Sequence, residues 1–283
     1  MPIKLAANAY GKNAVNMSRI IRHANHHEFR QVSVSVQLTG DFEAAHALGD
    51  NALILPTDTQ KNTVYALAKE YFTGTIEAYG LVLARHFVSR NAQVSKARIE
   101  IIEHIWQRMQ FDGHAHPHAF TGGSSEKRRA VVELCADGTL TVTAGLKGLL
   151  LAKTADSGFV GYPKDEYTTL PETTDRILST ECEAEWPYAS ADLDFEALFQ
   201  HVRATLLRTF AEHKSLSVQH TLYAMGEQVL ETTEQVKEIS LVMPNKHHIP
   251  FNLTPFGQEN TNEVFMATDA PFGYITGTLG REE

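Results

Sequence analysis

The apolar residues in the first half of the chain follow two different periods. Two runs alternate with polar or charged residues, and each predicts a β-strand with one buried face: Val32, Val34, Val36 and Leu38, then Ala97, Ile99 and Ile101. Between them, a stripe at helical spacing predicts an amphipathic helix, formed by Ile76, Tyr79, Leu83 and Phe87. The first half is therefore expected to combine strands with a helix that has one apolar face.

A shorter apolar run leads directly into another predicted helix. Residues 52–55 predict a short strand that ends at Pro56, and the helix after it is marked by Val64, Leu67 and Ala68. Thr57 and Asp58 offer side-chain oxygens where that helix needs an N-cap. Such a junction leaves unpaired backbone N–H groups and a partial positive charge, which suit an anion. From these residues alone, simple helix capping is the favoured interpretation.

The second half repeats this plan and also begins and ends with strands. A β-hairpin is predicted at Ala136-Asp137-Gly138, because apolar runs flank it at residues 131–134 and 140–142. Towards the C-terminus, the apolar residues predict one strand that ends at Pro244 and another that begins at Phe251.

Two helices are predicted between these strands. Thr169 and Glu172 fit the capping-box pattern, with Pro171 in the first turn of a short helix. A long amphipathic helix follows, with an apolar stripe of Phe195, Leu198, Phe199, Val202, Leu206 and Phe210.

The two halves therefore show a similar order of elements. Residues 114–123 contain Pro117, Gly122 and Gly123, which predicts a loop and a domain boundary. We expect an α+β fold made by tandem duplication, in which helices cover one face of each antiparallel sheet. The predicted units are residues 1–125 and 126–283.

Composition and charge restrict the class of function. The chain has 283 residues, of which 43% are hydrophobic and 21% charged, as in a globular protein. A net charge of −9 argues against a nucleic-acid partner but not against a small anionic substrate. No apolar run approaches the roughly 20 residues of a membrane span, so no membrane partner is expected. Cys135 and Cys182 are expected to be free thiols in a reducing compartment.

Histidines are the first candidates for metal ligands. His114, His116 and His118 alternate, but Pro117 interrupts the strand geometry that would place them on one side. A surface loop is the favoured interpretation of this segment, and also of the group His23, His26 and His27.

Two further polar segments have a functional and a simpler interpretation. In Pro244-Asn245-Lys246-His247-His248, Asn245 offers an amide to a small ligand and His247 offers a proton shuttle, although an ordinary polar turn is the simpler alternative. On the predicted short helix, Arg176 offers a rigid fork of donors to a planar anion. Pairing of Arg176 with Glu172 or Asp175 is the commoner alternative.

Motifs along the whole chain resemble those of one enzyme family. The segment Thr57-Asp58-Thr59-Gln60-Lys61-Asn62-Thr63-Val64-Tyr65 resembles the signature of urate oxidases (uricases). The other matching segments follow the order of that family: Tyr10-Gly11-Lys12, Ser157-Gly158-Phe159, Asp165 to Thr180, Ser217-Val218-Gln219, Pro244-Asn245-Lys246-His247 and Gly273-Tyr274-Ile275.

The resemblance implies a reaction and a set of site residues. Uricases oxidise urate with O2 and water to 5-hydroxyisourate and hydrogen peroxide, with neither a metal nor an organic cofactor. The implied catalytic residues are Lys12, Thr57 and His247, with Lys12 and Thr57 as a dyad and His247 as a proton relay. The implied substrate-binding residues are Thr57, Asp58, Phe159, Arg176, Val218, Gln219 and Asn245. The residues implied to line the pocket are Leu170 and Ile275.

The resemblance also implies an assembly and a location. Uricases contain two T-fold (tunnelling-fold) units that form a barrel with a second subunit, and they assemble as homotetramers with active sites at subunit interfaces. The sequence ends in Arg281-Glu282-Glu283, which is not the peroxisomal tripeptide, so a cytoplasmic, bacterial protein is expected. Pro56, Val160 and Pro163 stand where uricases often carry other residues, and altered kinetics are expected from them.

Two rival functions remain open from the sequence. One is a purine- or pterin-binding protein that keeps the pocket without catalysis. The other is a metal-dependent T-fold enzyme that acts on pterins through His114, His116 and His118.

Overall fold

Antiparallel strands backed by helices make up most of the computed structural model, which describes residues 3–282. Met1, Pro2 and Glu283 lie outside the described residues. Met1 and Pro2 begin the first predicted domain, and Glu283 ends the second predicted domain and the C-terminal tripeptide. The chain divides into two compact units. The first contains the described residues up to Gly145 together with Pro187–Glu196, and the second contains Leu146–Trp186 and the described residues from Ala197 onward. The predicted boundaries at residues 125 and 126 stay a prediction.

The first unit contains the elements β1 (Tyr10–Arg22), β2 (His27–Gly40), α1 (Glu43–Leu48), α2 (Thr57–Tyr71), α3 (Ile76–Arg90), β3 (Val94–Phe111) and β4 (His114–Cys135). Its strands form a four-stranded antiparallel arrangement in the order β1-β2-β3-β4. The two strands predicted from alternating residues are confirmed as β2 and β3, and both predicted helices are confirmed as α2 and α3, while α1 has no counterpart among the predictions.

Strand β5 (Leu140–Lys153) follows the hairpin predicted at residues 136–138 and continues into the second unit. The hairpin is confirmed by hydrogen bonds from Cys135 N to Thr139 O and from Gly138 N to Cys135 O, of 2.9 and 3.0 Å. Gly138 has a φ of 92°, a left-handed conformation that glycine adopts without strain.

The elements after β5 are β6 (Leu178–Pro187), α4 (Phe195–Glu212), α5 (Val218–Thr232), β7 (Glu238–Lys246), β8 (His248–Pro250), a short 3-10 helix (Thr254–Phe256), β9 (Phe265–Ala267) and β10 (Gly273–Gly280). In the second unit the strands pair antiparallel in the order β6-β7-β10. Strands β8 and β9 form a separate two-stranded sheet. Helix α4 confirms the predicted apolar stripe, and α5 was not predicted.

Helices cover one face of the sheet in each unit, which confirms the predicted α+β class. In the first unit α3 packs on β3 and β4, and its predicted stripe from Ile76 to Phe87 is fully buried. In the second unit α5 packs on β7 and β10. A Cβ atom on Gly277 would lie 2.8 Å from Leu222 of α5, so glycine is needed for this close approach. The outer strands β1 and β10 each pair on one side only, so neither sheet closes into a barrel within the described chain.

Three predicted elements are wrong, and in two of them a tertiary contact replaces the local pattern. Residues 52–55 form a turn rather than a strand, and the Leu55 carbonyl accepts hydrogen bonds from Tyr10 Oη and Gln60 Nε2 instead of a ladder partner. No helix begins at Thr169, because Glu172 accepts a hydrogen bond from the Gly161 N–H rather than capping a helix. Phe251 begins no strand, although the short β8 precedes it.

Pro117 was expected to lie in a loop and Pro244 to end a strand, and both predictions are wrong. Residues 114–123 belong to β4 and not to a loop, because Arg108 Nη1 donates to the carbonyls of His116 and Pro117 around an irregular register. Pro244 lies inside β7, where it faces Tyr274 of the edge strand β10. In the part of the chain that the structure describes, every helix falls short of the length and apolarity that a membrane span requires.

Candidate active site

Lys12 lies on β1 at the start of a β-bulge in the first unit. The register between β1 and β2 shifts between Lys12 and Val15, and Ala14 within the shift has a φ of 53°. A bulge bends a strand and turns its side chains towards a new direction. Gly11 fits here because a Cβ atom would overlap the Val36 carbonyl oxygen. The half-buried Lys12 side chain therefore projects from a locally distorted edge strand.

Thr57 and Asp58 are the first two residues of α2. Pro56 occupies the N-cap position, with φ −53° and ψ 137° and no side-chain capping bond, so the expectation that Thr57 or Asp58 caps the helix is wrong. Neither residue's backbone N–H meets a hydrogen-bond acceptor within residues 3–282. The helix start therefore keeps the unpaired donors and the partial positive charge that hold an anion.

The Asp58 carboxylate is held over the first turn of α2. It accepts hydrogen bonds from Lys61 Nζ and, at 3.1 Å, from Asn62 Nδ2. The hydrogen bond and charge of Lys61 lower the pKa of Asp58, and the charge of Lys12 contributes in the same direction. Lys12 is thus near enough to the start of α2 to act electrostatically. A hydrogen bond between Lys12 and Thr57 does not occur among the described residues.

In the second unit, Phe159 lies on a segment that folds back on residues 173–176. Phe159 N donates to Thr173 O at 2.7 Å, and Thr173 N donates to Phe159 O at 3.1 Å. Arg176 N donates to Ser157 O at 2.9 Å, and Arg176 Nε lies 3.4 Å from Ser157 Oγ. A Cβ atom on Gly158 would lie 3.1 Å from Thr173 O, so the small residue allows the two segments to approach. Arg176 therefore lies on an extended segment and not on the predicted helix.

The Arg176 guanidinium lies over the Phe159 ring, 5.4 Å from the ring centroid. Burial lowers the pKa of Arg176 from its usual value, which reflects the cost of removing its charge from water. The predicted partners are engaged elsewhere: Glu172 accepts from Gly161 N and Asp175 from Asn262 Nδ2. No described carboxylate forms an ion pair with Arg176, so the simpler interpretation of this arginine is wrong.

Tyr162 supports two of the predicted site residues and was not predicted. Its ring stacks on Phe159, with centroids 4.7 Å apart and planes at 13°. Its hydroxyl donates a 2.5 Å hydrogen bond to the carbonyl oxygen of Leu170, whose side chain is exposed. The sequence motifs that marked Phe159 and Leu170 did not indicate Tyr162. Its contacts with these residues form only when the two segments fold together.

Val218 and Gln219 open α5, the helix that the sequence analysis missed. Ser217 is its N-cap, and the Ser217 hydroxyl accepts a 3.1 Å hydrogen bond from His220 N. Buried Ser215 donates to Ser217 O at 3.0 Å and forms an isolated bridge with buried Ser157. These serines connect the start of α5 to the segment that carries Phe159 and Arg176. The sequence signal for α5 was a serine before apolar residues at helical spacing: Val218, Leu222, Met225 and Val229.

Gln219 and Ile275 line one groove of about 510 Å³ between α5 and the edge strand β10. The lining of this groove is mixed, because Leu222 and Tyr223 contribute apolar surface and the charged residues Glu227, Glu231 and Arg281 also border it. Arg176 is not among the lining residues of this groove.

Asn245 and His247 lie at the end of β7. Asn245 pairs with Thr180 of β6 and Gly273 of β10, so its backbone is fixed on both sides. The carbonyl oxygen of His247, just beyond the strand, accepts a 3.0 Å hydrogen bond from Thr268 N. Both side chains are half-buried.

The predicted site residues therefore form two groups. Lys12, Thr57 and Asp58 belong to the first unit, and the second group, in the second unit, comprises Phe159, Leu170, Arg176, Val218, Gln219, Asn245, His247 and Ile275. The histidines at 114, 116 and 118 extend along β4, and the described residues contain no cluster of metal-ligand atoms there.

Comparisons with known proteins agree over the length of the chain. The family model described as Uricase matches residues 8–133 and 142–276. A uricase of Arthrobacter globiformis is 45% identical over 280 residues, which cover 99% of this chain and 91% of that protein. A uricase of Danio rerio is 36% identical, over 99% of this chain and 96% of that protein. The crystal structure of the Arthrobacter globiformis uricase has a TM-score of 0.94, covering 100% of this chain and 96% of that one at 44% identity.

Proposed function

The chain belongs to the uricase family and is a urate oxidase, and we propose that its two groups of site residues complete one urate site across a subunit interface. The reaction joins urate, O2 and water to give 5-hydroxyisourate and hydrogen peroxide. Urate loses two electrons and gains an oxygen atom from water, and O2 takes up the two electrons and two protons.

Arg176 is the observation that carries this proposal. A half-buried guanidinium without a carboxylate partner among the described residues is costly unless an anion binds beside it. The adjacent Phe159 ring offers a flat apolar face. A cation and an aromatic face together fit a planar anion, and urate is a planar purine that is already anionic at neutral pH.

The second-unit residues bind one edge and one face of the purine. Arg176 donates hydrogen bonds along one edge, the Gln219 amide donates and accepts beside it, and Phe159 stacks on the ring. Leu170, Ile275 and the backbone at Val218 close the pocket around it. Such a clamp fixes the orientation of the ring before any proton or electron moves.

The first-unit residues come from a neighbouring subunit and complete the opposite edge. The unpaired N–H groups of Thr57 and Asp58 offer donors to the urate oxygens. Lys12 and the Thr57 hydroxyl remove a proton from urate, and His247 continues the proton relay. A symmetric pair of subunits is enough to place two such groups together, and the resemblance to uricases implies that the full assembly is a homotetramer.

Deprotonated urate is electron-rich enough to reduce O2 directly, so the proposed mechanism uses no cofactor. Asn245 holds O2, and later water, above the purine ring through its amide. The role of the protein is then to orient urate, to move protons at Lys12, Thr57 and His247, and to keep O2 at the ring face.

Replacement of Arg176 tests the proposed binding group. Arg176→Gln keeps a hydrogen-bonding side chain but removes the charge, so we expect urate affinity to fall by about tenfold or more, as for loss of a charge-assisted bond. Arg208→Gln, on the exposed surface of α4, is the matched control and should bind urate normally. Urate binding is measured without oxygen and turnover under air. Equal urate affinity in Arg176→Gln and Arg208→Gln would contradict the proposal.

A further inference from the structure

The turn between β1 and β2 brings two histidines and a glutamate to one face. Ile21 faces Glu28 across the strand pair, and Arg22 faces His27. Because side chains alternate along a strand, His23 and His26 fall on the face of Glu28, while His27 falls on the opposite face. The turn is closed by a 2.9 Å hydrogen bond from His23 N to His26 O, which fixes the backbone that carries both rings.

The side chains of this face converge. His23 Nε2 lies 2.6 Å from Glu28 Oε1, and the rings of His23 and His26 have centroids 4.5 Å apart. One ligand atom from each of the three residues lies within 4.8 Å of the others. The rings are nearly parallel, at 18°, so one imidazole turns when both bind one ion. Both histidines are exposed to solvent.

We propose that His23, His26 and Glu28 form a site for a divalent transition metal ion, with Zn²⁺ as the reference ion. Two imidazoles and one carboxylate are ligands that suit Zn²⁺, Ni²⁺ or Cu²⁺ rather than Mg²⁺ or Ca²⁺. Three protein ligands leave one position of a tetrahedral ion for water. The Glu28 carboxylate also offsets the positive charge of the ion.

Neighbouring groups on the opposite face do not compete for the ion. Arg22 Nη1 lies 3.4 Å from His27 Nε2, so that ring is engaged with a cation. His27 also lies 6.0 Å from His118 between ring centroids. None of the three ligands is among the residues proposed to bind urate. A metal ion bound at this site would therefore stabilise the turn between β1 and β2, and its binding is not a step of urate oxidation.

Calorimetric titration with ZnCl₂ tests the site on the full chain. The protein carries no polyhistidine tag and is freed of metal with a chelator that is then removed. We expect one saturable Zn²⁺ site per chain, with affinity reduced about tenfold or more in His23→Gln, His26→Gln and Glu28→Gln. His114→Gln, an exposed histidine of the same unit, is the matched control and should retain wild-type affinity. Zn²⁺ should also raise the melting temperature of the wild type but not that of the His23→Gln, His26→Gln double variant.

Unchanged affinity in His23→Gln and His26→Gln would overturn the proposal, as would the absence of saturable binding. An equal loss in His114→Gln would also overturn it, because the ion would then lie on β4. Each variant is first shown by circular dichroism without metal to be folded. Urate turnover is recorded with and without Zn²⁺, so that failure of the metal site and failure of the urate site appear as separate results.

Discussion

Arg176 holds a positive charge beside an aromatic ring without a carboxylate partner among the described residues. The motif around this residue was recognised from the sequence, but its position on a helix was wrong. Capping-box residues at 169 and 172 fit a helix locally, whereas Glu172 satisfies the Gly161 N–H and the chain stays extended. The ability of Arg176 to bind an anion was thus predictable from its residue type. Its surroundings were not predictable, because they depend on long-range contacts.

Replacement of Lys12 separates proton transfer from binding. Lys12→Met removes the base but keeps a flexible apolar stem, so we expect kcat to fall by about a hundredfold or more and KM to change little. Lys69→Met, an exposed lysine on α2, is the matched control. Steady-state rates of urate loss give both constants. A rise in KM that matches the fall in kcat would show that Lys12 only positions urate.

Tyr162 is expected to hold Phe159 and Leu170 in the positions that bind urate. Tyr162→Phe keeps the stack but loses the 2.5 Å hydrogen bond to Leu170 O. One such bond contributes about 1 kcal/mol, so we expect KM to rise about fivefold with kcat nearly unchanged. Tyr167→Phe, on an 83% exposed tyrosine, should leave both constants as in the wild type. A normal KM in Tyr162→Phe would show that the hydrogen bond does not shape the pocket.

The two cysteines should differ in reactivity. Burial raises the pKa of Cys182 to about 12, so its thiolate is scarce at neutral pH, whereas Cys135 is half-buried. We expect a thiol reagent to label Cys135 alone in the folded protein and both cysteines after unfolding. Mass spectrometry of labelled peptides gives the measurement. Rapid labelling of Cys182 in the folded protein would contradict its burial.

At the scale of elements, long periodic runs were predictable and irregular ones were not. The stripe on α3 and the alternation on β2 specify a buried face by themselves, because every member points to the same core. By contrast, β4 continues through Pro117, where the Arg108 side chain donates to the carbonyls of His116 and Pro117, a contact that no local pattern indicates. The start of α2 follows an apolar run that forms no strand, since Leu55 O binds side chains instead.

The N-cap of α5 is expected to affect both stability and binding. Ser217→Ala loses the hydrogen bond to His220 N and should lower the free energy of unfolding by about 1 kcal/mol. Because Val218 and Gln219 follow this cap, KM for urate should also rise. Thr75→Ala removes the equivalent cap of α3, where Thr75 accepts from Ala78 N, and provides the matched control.

Thr75→Ala should lose similar stability, measured by denaturant unfolding, with an unchanged KM. If Ser217→Ala and Thr75→Ala change KM equally, the effect on binding comes from general destabilisation and not from the start of α5.

At the scale of the whole molecule, the proposed residues belong to two units of the chain. The α+β class and the repeated order of strands and helices were predictable from periodicity. The proposed assembly does not follow from periodicity, because periodicity marks which face of an element is buried but not whether another chain covers an exposed edge. The unpaired sides of β1 and β10 offer edges at which another subunit can add strands.

Mixing two impaired variants tests whether each site is shared between subunits. At urate concentrations well below KM, Lys12→Met should retain about a hundredth of the wild-type activity and Arg176→Gln about a tenth. After denaturation and joint refolding, hybrids of the proposed tetramer contain sites with both groups intact, and random mixing should restore roughly a quarter of wild-type activity. A mixture that remains as impaired as its components would show that both groups act within one chain.

Urate oxidation under air, followed in protein treated with a chelator, most directly tests the claim that this chain oxidises urate without a cofactor. Loss of urate absorbance, O2 uptake and hydrogen peroxide are recorded together. We predict one O2 consumed and one peroxide formed for each urate lost, at a rate that the chelator does not change. Urate that binds but persists would contradict the claim and favour a purine-binding protein, and turnover abolished by the chelator would contradict the cofactor-free mechanism.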